Sequence, residues 1–127
     1  MANETIPLYR PGDDVTATAS GAITGKTFVD ISAGVNAANG TTLTVVTATA
    51  AGATVGVASR DTASGAKLHV LRGKGSVVPV TAGGNIAVGA EVEAGANGRA
   101  VTLAAGKARG RAWSAGAAGS DVFIELY

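Results

Sequence analysis

Short runs of alternating apolar and polar residues, separated by glycines, fill most of this chain. Valine, threonine and alanine dominate the runs, and β-branched residues at a period of two are typical of strands. The predicted strands are Val15–Ser20, Lys26–Ile31, Thr42–Thr49, Thr54–Ala58, Lys67–Leu71, Ser76–Thr81, Arg99–Leu103 and Asp121–Tyr127. Turns tolerant of positive φ are predicted at Asn39-Gly40, Gly83-Gly84 and Asn97-Gly98. No window shows an apolar helical stripe between caps, so the predicted fold class is all-β.

One pattern occurs twice along the chain. Gly56-Val57-Ala58, followed by Ala63, Gly65, Leu68 and Val70, returns as Gly110-Arg111-Ala112, followed by Ala117, Gly119, Val122 and Ile124. Both copies have the order strand, small-residue turn, strand. The recurrence has two interpretations: a pair of similar hairpins, or a coincidence in a chain so rich in alanine and glycine.

The composition predicts a core built from small side chains. Hydrophobic residues make up 46% of the 127 positions, but aromatic residues only 4%, and there are 19 glycines. One domain of this length buries about two thirds of its unfolded surface. Small side chains contribute little burial at about 25 cal/mol per Å² of apolar area. We therefore expect part of the stability to come from association with further copies or with a partner.

Charge and cysteine content narrow the range of functions. The formal net charge is +1, which gives no electrostatic argument for nucleic acid or for a membrane surface. The absence of cysteine excludes disulfides and thiolate metal sites, and it agrees with assembly in a reducing cytoplasm. The segment Met1–Asp14 lacks the basic start and apolar run of a secretory signal. Thr42–Ser59 lacks the continuous apolar side chains of a membrane span.

The sequence Gly21-Ala-Ile-Thr-Gly-Lys-Thr27 is similar to a phosphate-binding loop. Its spacing is one residue short, because Ser20 occupies the place of the first glycine. The residues that follow predict a strand, whereas a phosphate site of this kind needs the N-terminus of a helix. We interpret the segment as a turn leading into a strand.

Candidate acid–base groups are few. His69 lies in an alternating run and is predicted on the face opposite Leu68 and Val70, as a surface or interface histidine. A serine hydrolase would need a nucleophile elbow, and no G-x-S-x-G is present. Glu91 and Glu93 are predicted to share one solvated strand face, and Asp13-Asp14 a solvated segment. The sequence therefore predicts no catalytic site, no metal site and no cofactor.

A basic stretch without an intervening acid comprises Arg99, Lys107, Arg109 and Arg111. It predicts a solvated face, with contact to an acidic surface as the alternative. Trp113 is the one nearby aromatic residue, so a site that stacks nucleic-acid bases is poorly supported.

The first fourteen residues differ in character from the rest. Pro7 and Pro11 fix φ and lack an amide donor, which disfavours both a helix and a central strand. Ile6, Leu8 and Tyr9 are apolar residues in an otherwise polar segment. A frayed terminus and an extended arm that docks on another subunit both fit these residues.

Three segments carry a resemblance to a known family: Ile6–Ser32, Gly56–Gly110 and the closing A-G-S-D-V-F-I-E-L-Y. Within them lie A-S-G-A-K, V-V-P-V-T-A-G, G-A-x-V-E and G-R-A-V-T, in that order. In this order the segments resemble the capsid cement, or decoration, proteins of tailed bacteriophages and prophages. The resemblance covers most of the chain, and Ala33–Ala53 matches least.

The resemblance implies a small single-domain β-barrel or β-tulip-like fold, with an extended arm at residues 1–14 and a β-rich domain at residues 15–127. It implies a non-enzymatic protein on the outer surface of the virion, assembled in the host cytoplasm. The implied partners are an HK97-like major capsid protein and further copies of the chain, as trimers at three-fold and quasi-three-fold positions. Partner contacts are expected at Ile6, Leu8, Tyr9 and Arg10. Nucleic acid, membrane and small-molecule substrates are not expected.

Two other functions remain open at this point. One is a β-barrel recognition module on the virion that binds host glycans. The other is a small hydrolase.

Overall fold

Ten strands form two five-stranded units in the computed structural model, which describes residues 14–50 and 52–127. The strands are β1 (Val15–Ala19), β2 (Phe28–Asn36), β3 (Thr42–Thr47), β4 (Thr54–Ala58), β5 (Lys67–Leu71), β6 (Val77–Thr81), β7 (Glu91–Ala94), β8 (Ala100–Thr102), β9 (Gly110–Ala112) and β10 (Asp121–Leu126). Two single 3₁₀ turns, Ala37–Asn39 and Ala96–Gly98, are the only helical segments among the described residues. The all-β prediction is confirmed, and no helix in these ranges is long and apolar enough to cross a membrane.

The first unit is a closed barrel in the strand order β1-β3-β2-β4-β5. Its neighbouring strands are antiparallel except for β1 and β3, which run parallel and bring Ala19 opposite Val45. Closure removes the free strand edges that would otherwise invite pairing with other chains. The predicted barrel architecture is therefore present in this half of the protein.

The second unit repeats the pairing scheme of the first. Its strand order is β6-β10-β9-β7-β8, with antiparallel pairs throughout. A parallel bridge from Ala82 to Ala100 joins the ends of β6 and β8, as the β1–β3 pair does in the first unit. The chain is thus built from two successive copies of one β arrangement.

The loops of the two units also correspond. An isolated antiparallel bridge joins Ile23 to Thr62 in the first unit and Ile86 to Gly116 in the second. Hairpin β4–β5 and hairpin β9–β10 contain the recurrent sequence pattern, so the interpretation as two similar hairpins is confirmed. In each hairpin a glycine with positive φ donates its amide to the end of the unit's first strand, at 2.8 Å: Gly65 to Ala19 and Gly119 to Ala82.

The core is built from small side chains, as the composition predicts. Alanine and valine account for sixteen of the twenty-two buried hydrophobic residues in the described ranges. One cluster fills the first barrel around Val29, Val45 and Leu68. The other fills the second unit, and Phe28 and Val57 of the first unit are part of it. The two units therefore share a core and are expected to unfold together.

Backbone contact reinforces this junction. Gly98, in the turn between β7 and β8, has φ +69 and lies so close to Phe28 that a Cβ atom would meet the Phe28 carbonyl oxygen at 2.5 Å. A side chain there would push the second unit away from the first. Glycine is thus required at Gly98 by both its backbone conformation and its surroundings.

Strand β2 extends further than the sequence predicts. The predicted strand ends at Ile31, but β2 continues to Asn36, and every residue from Ile31 onward is exposed. Its pairing with β3 shifts register between Ile31 and Ala33 and again before Asn36. Ala33 and Gly34 have low strand propensity, so pairing with β3 rather than local preference keeps this segment extended.

The segment Ala112–Ala118 is rich in alanine but contains no helical turn. It leaves β9 and crosses to β10 through the bridge at Gly116 and the turn that ends at Gly119. Similarly, the predicted turn at Gly83-Gly84 is a bend without positive φ, whereas Gly40, Asn97 and Gly98 adopt positive φ as predicted.

Candidate interaction surface

An aromatic stripe crosses the outer face of the second unit. Phe123 on β10 lies directly opposite Pro79 on β6, and its carbonyl accepts the amide of Trp113 at 2.8 Å on the other side. Trp113 is 59% exposed and Phe123 53% exposed. We call Val77, Pro79, Trp113 and Phe123 the aromatic face.

Alternation along β10 produces this face. Val122, Ile124 and Leu126 point into the core and are buried, so the residues between them point outward. One of these outward residues, Glu125, accepts a hydrogen bond from the Trp113 indole Nε1 at 3.0 Å. This hydrogen bond restrains the indole, which lowers the entropy lost when a partner covers it.

The distribution of aromatic residues is unusual for a chain with so small a core. Of the four aromatic residues in the described ranges, Phe28 is buried, whereas Trp113, Phe123 and Tyr127 are exposed. Burying these rings inside would have strengthened the fold. Contiguous exposed apolar surface marks sites of contact with another molecule. The aromatic face is therefore a candidate interaction surface.

The segment similar to a phosphate-binding loop is a turn before a strand, as interpreted. Lys26 has φ +61, and its Nζ lies 2.7 Å from the carboxylate of Asp121, which joins the two units. That hydrogen bond lowers the pKa of Asp121 below its usual value. Strand β2 begins at Phe28, so no helix N-terminus is present here. The absence of nucleotide binding stays a prediction.

His69 is on the surface, as predicted. Its Nε2 lies 2.7 Å from the carboxylate of Asp14, just before β1. The other oxygen of Asp14 accepts the Arg72 amide at 3.3 Å. Asp14 thus ties the start of the barrel to β5 and to the linker that follows it.

Glu91 and Glu93 share one face of β7, as predicted, but they are half-buried and have structural partners. Glu93 accepts the amides of Ala104 and Gly106 at 2.7 and 3.1 Å and holds the loop between β8 and β9. Glu91 accepts the hydroxyl of Tyr127 at 2.7 Å. This hydrogen bond raises the pKa of Tyr127, because it stabilises the protonated phenol.

The basic stretch is not one continuous face. Arg111 donates to the Gly89 carbonyl at 2.8 Å and Arg109 to the Gly52 carbonyl at 3.1 Å. Lys107 lies beside Arg109 where the two units meet, and Arg99 is exposed outside that region.

The sequence did not reveal the aromatic face, or that Lys107 and Arg109 line one cleft together with Arg72 and Lys74. The period of two along β10 could have placed Phe123 outside. The predicted partner-binding residues Ile6, Leu8, Tyr9 and Arg10 lie outside the described residues. Within residues 14–50 and 52–127, no group of three or more His, Asp or Glu side chains is placed to hold a metal ion.

These features define an all-β protein with two repeated units, a shared small-residue core and an exposed aromatic face. No protein-family model matches the chain, and no curated protein matches it in sequence. Among solved structures, it is similar to the N base of the head fibre gp8.5 of bacteriophage phi29, with a TM-score of 0.74. The two are 22% identical over 91% of this chain and 93% of that one. This likeness shows the fold, and the resemblance to decoration proteins stays a prediction.

Proposed function

We propose that the protein is a structural component of a bacteriophage head. The observation that carries the proposal is the likeness of nearly the whole chain to the base of a phage head fibre. Fold alone does not define function. The resemblance of the sequence to phage decoration proteins, itself still a prediction, points to the same class of virion component.

In finer detail, the protein decorates the outer surface of the capsid and stabilises it. The proposed partner is an HK97-like major capsid protein, and the copies assemble as trimers at three-fold and quasi-three-fold positions. The small-residue core and the exposed aromatic rings support self-association, because rings left outside the fold become buried when copies meet. We assign the aromatic face to this contact between copies.

The N-terminal arm, residues 1–14, provides the contact with the capsid in this proposal. Ile6, Leu8, Tyr9 and Arg10 lie against a neighbouring capsid or decoration subunit and tie the shell together. Each large apolar side chain contributes roughly 1.5–3 kcal/mol when fully buried, before the cost of ordering is subtracted.

We also propose that the protein is not an enzyme. The support for this is that the acidic and imidazole groups discussed above have structural partners: Asp14 with His69, Asp121 with Lys26, and Glu93 with loop amides.

Stoichiometry tests the proposed function. In purified particles of the phage that encodes the chain, the number of copies should approach that of the capsid protein. Quantitative mass spectrometry of the particles measures this ratio. A few copies per particle would contradict decoration of the shell. Sedimentation equilibrium of the purified protein tests the trimer, and a stable dimer would contradict three-fold placement.

A glycan-binding module on the virion is the second candidate. The observation that favours it is the pairing of Trp113 with Glu125, an aromatic ring beside a carboxylate. Binding to a glycan array, lost on Trp113→Ala, would support this candidate. Near-capsid copy number without any glycan binding would favour decoration.

A further inference from the structure

A cleft of about 490 Å³ opens where the two β units meet. This volume lies within the range of about 300–1,000 Å³ that is usual for ligand sites. Phe28 and Gly56 of the first unit and Leu126 and Tyr127 of the second line it. The junction of the repeats therefore creates a concave surface that neither unit has alone.

Four cationic side chains line this cleft: Arg72, Lys74, Lys107 and Arg109. They come from two separate segments that connect strands. Arg72 and Lys74 belong to the linker between β5 and β6, and Lys107 and Arg109 belong to the loop between β8 and β9. We call these four residues the basic cleft.

The cations of the basic cleft have no carboxylate partner in the described part of the chain. The ion pairs within residues 14–50 and 52–127 are Lys26 with Asp121 and His69 with Asp14. Arg109 is positioned by its hydrogen bond to the Gly52 carbonyl. Converging positive charges that outnumber the nearby carboxylates raise the local concentration of anions.

Two acidic side chains near the basic cleft, Glu91 and Glu93, offset part of its positive charge. Glu93 lines a smaller adjoining cleft with Lys107 and Arg109, but its carboxylate accepts two loop amides. Glu91 is held by the Tyr127 hydroxyl. Both carboxylates hold the walls of the cleft in place, and the four cations of the lining outnumber them by two.

We propose that the basic cleft binds an acidic, extended segment of a partner protein through its carboxylates. Guanidinium groups of Arg72 and Arg109 match carboxylate geometry, and the lysine ammonium groups add mobile donors. The identity of the partner as a head protein rests on the proposed function, whereas the carboxylate chemistry follows from the cleft itself.

The cleft favours a polypeptide over nucleic acid. Single-stranded nucleic acid binds to aromatic platforms on which bases stack. Of the two aromatic rings that line the cleft, Phe28 is buried, which leaves Tyr127 as the one exposed ring on which a base could stack. The four cations come from two loops that meet at one cleft, whereas single-stranded nucleic acid is followed by a positively charged groove along its backbone.

The direct test is fluorescence anisotropy with a labelled peptide of eight glutamates. Lys74→Gln/Lys107→Gln should raise its Kd about tenfold while leaving the fold intact, because both side chains are exposed. The matched control is Arg60→Gln/Arg99→Gln, which removes the same charge at exposed positions outside the cleft. The control should bind nearly as the wild type does. Equal loss in both variants, or no binding by the wild type, would overturn the proposal.

Two further probes identify the ligand class. A peptide of eight lysines should not bind, and inorganic phosphate should compete weakly compared with the glutamate peptide. Tighter binding of an eight-nucleotide single-stranded DNA, lost in the cleft variant, would overturn the assignment to a polypeptide.

Binding to undecorated heads separates this inference from the proposed function. Wild-type binding that the cleft variant loses and the control retains supports both. Equal binding by all three proteins contradicts the role of the cleft and leaves the proposed function standing. A wild type that does not bind heads contradicts the proposed function, and the peptide measurement then decides the chemistry of the cleft alone.

Discussion

Removing the two exposed rings of the aromatic face should weaken self-association strongly and folding only slightly. The double variant Trp113→Thr/Phe123→Thr keeps a residue of high strand propensity at both positions. Val122 and Ile124, which point inward beside Phe123, are unchanged. The core therefore stays packed, and circular dichroism should show the same β fold.

The size of the effect follows from the exposed fractions. An aromatic side chain buries about 150–250 Å² when fully covered. With 59% of Trp113 and 53% of Phe123 exposed, each ring has roughly 100–150 Å² left to bury. At about 25 cal/mol per Å², this is about 3 kcal/mol for each ring. Subtracting about 1 kcal/mol for ordering leaves about 2 kcal/mol, or roughly a thirtyfold change in affinity for each ring.

The two rings are cross-strand neighbours, so their effects are not independent. We therefore expect at least a hundredfold weaker association for the double variant. Sedimentation equilibrium over a range of concentrations measures it. Val35→Thr, which alters an exposed apolar residue of the first unit, is the control and should associate as the wild type does. A folded double variant that assembles as well as the wild type would refute the assignment.

Three further predictions concern stability, pH and the N-terminal arm. Phe28→Ala should lower the free energy of unfolding, measured by urea titration, by about 3–5 kcal/mol. The control Ile31→Ala changes an exposed side chain and should lower this free energy far less. Similar losses in the two variants would contradict the shared core. The hydrogen bond from Lys26 lowers the pKa of Asp121 in the folded state below the ordinary aspartate pKa of 3.8. The ionised Asp121 therefore stabilises the fold fully at pH values above 3.8, and this stabilisation is lost as the pH falls through the lower folded-state pKa. Asp121→Asn should reduce this acid dependence in thermal unfolding, and an unchanged profile would contradict the role of the ion pair. Deleting Met1–Arg10 should leave the β fold intact by circular dichroism and strongly weaken binding to undecorated capsids; wild-type occupancy by the folded truncation would contradict the proposed role of the arm.

Local pattern predicted those strands whose residues also have strand propensity. In β5 and β10, valine, leucine and isoleucine alternate with outward residues, so both strands could be placed from sequence. The second half of β2 could not, because Ala33 and Gly34 depend on pairing with β3. Likewise, β9 has only three residues, Gly110–Ala112, and the recurrence of its hairpin was its main signal.

Only the second part of each repeated unit could be recognised from the sequence. The hairpin that carries Gly56 keeps the same spacing as the hairpin that carries Gly110. The preceding parts of the two units, around Ile23 and Ile86, correspond in structure but are separated from their hairpins by connections of different length. The basic cleft could not be predicted from the sequence for a related reason. Its cations lie on two linkers, and only the packing of the units brings Lys74 and Lys107 into one cleft.

A three-dimensional reconstruction of the phage particle by electron cryomicroscopy tests the central claim most directly. We expect density for the two β units on the outer surface of the head, as three copies around three-fold and quasi-three-fold positions. Heads whose outer surface carries no such density, or density for this chain confined to the tail, would contradict it.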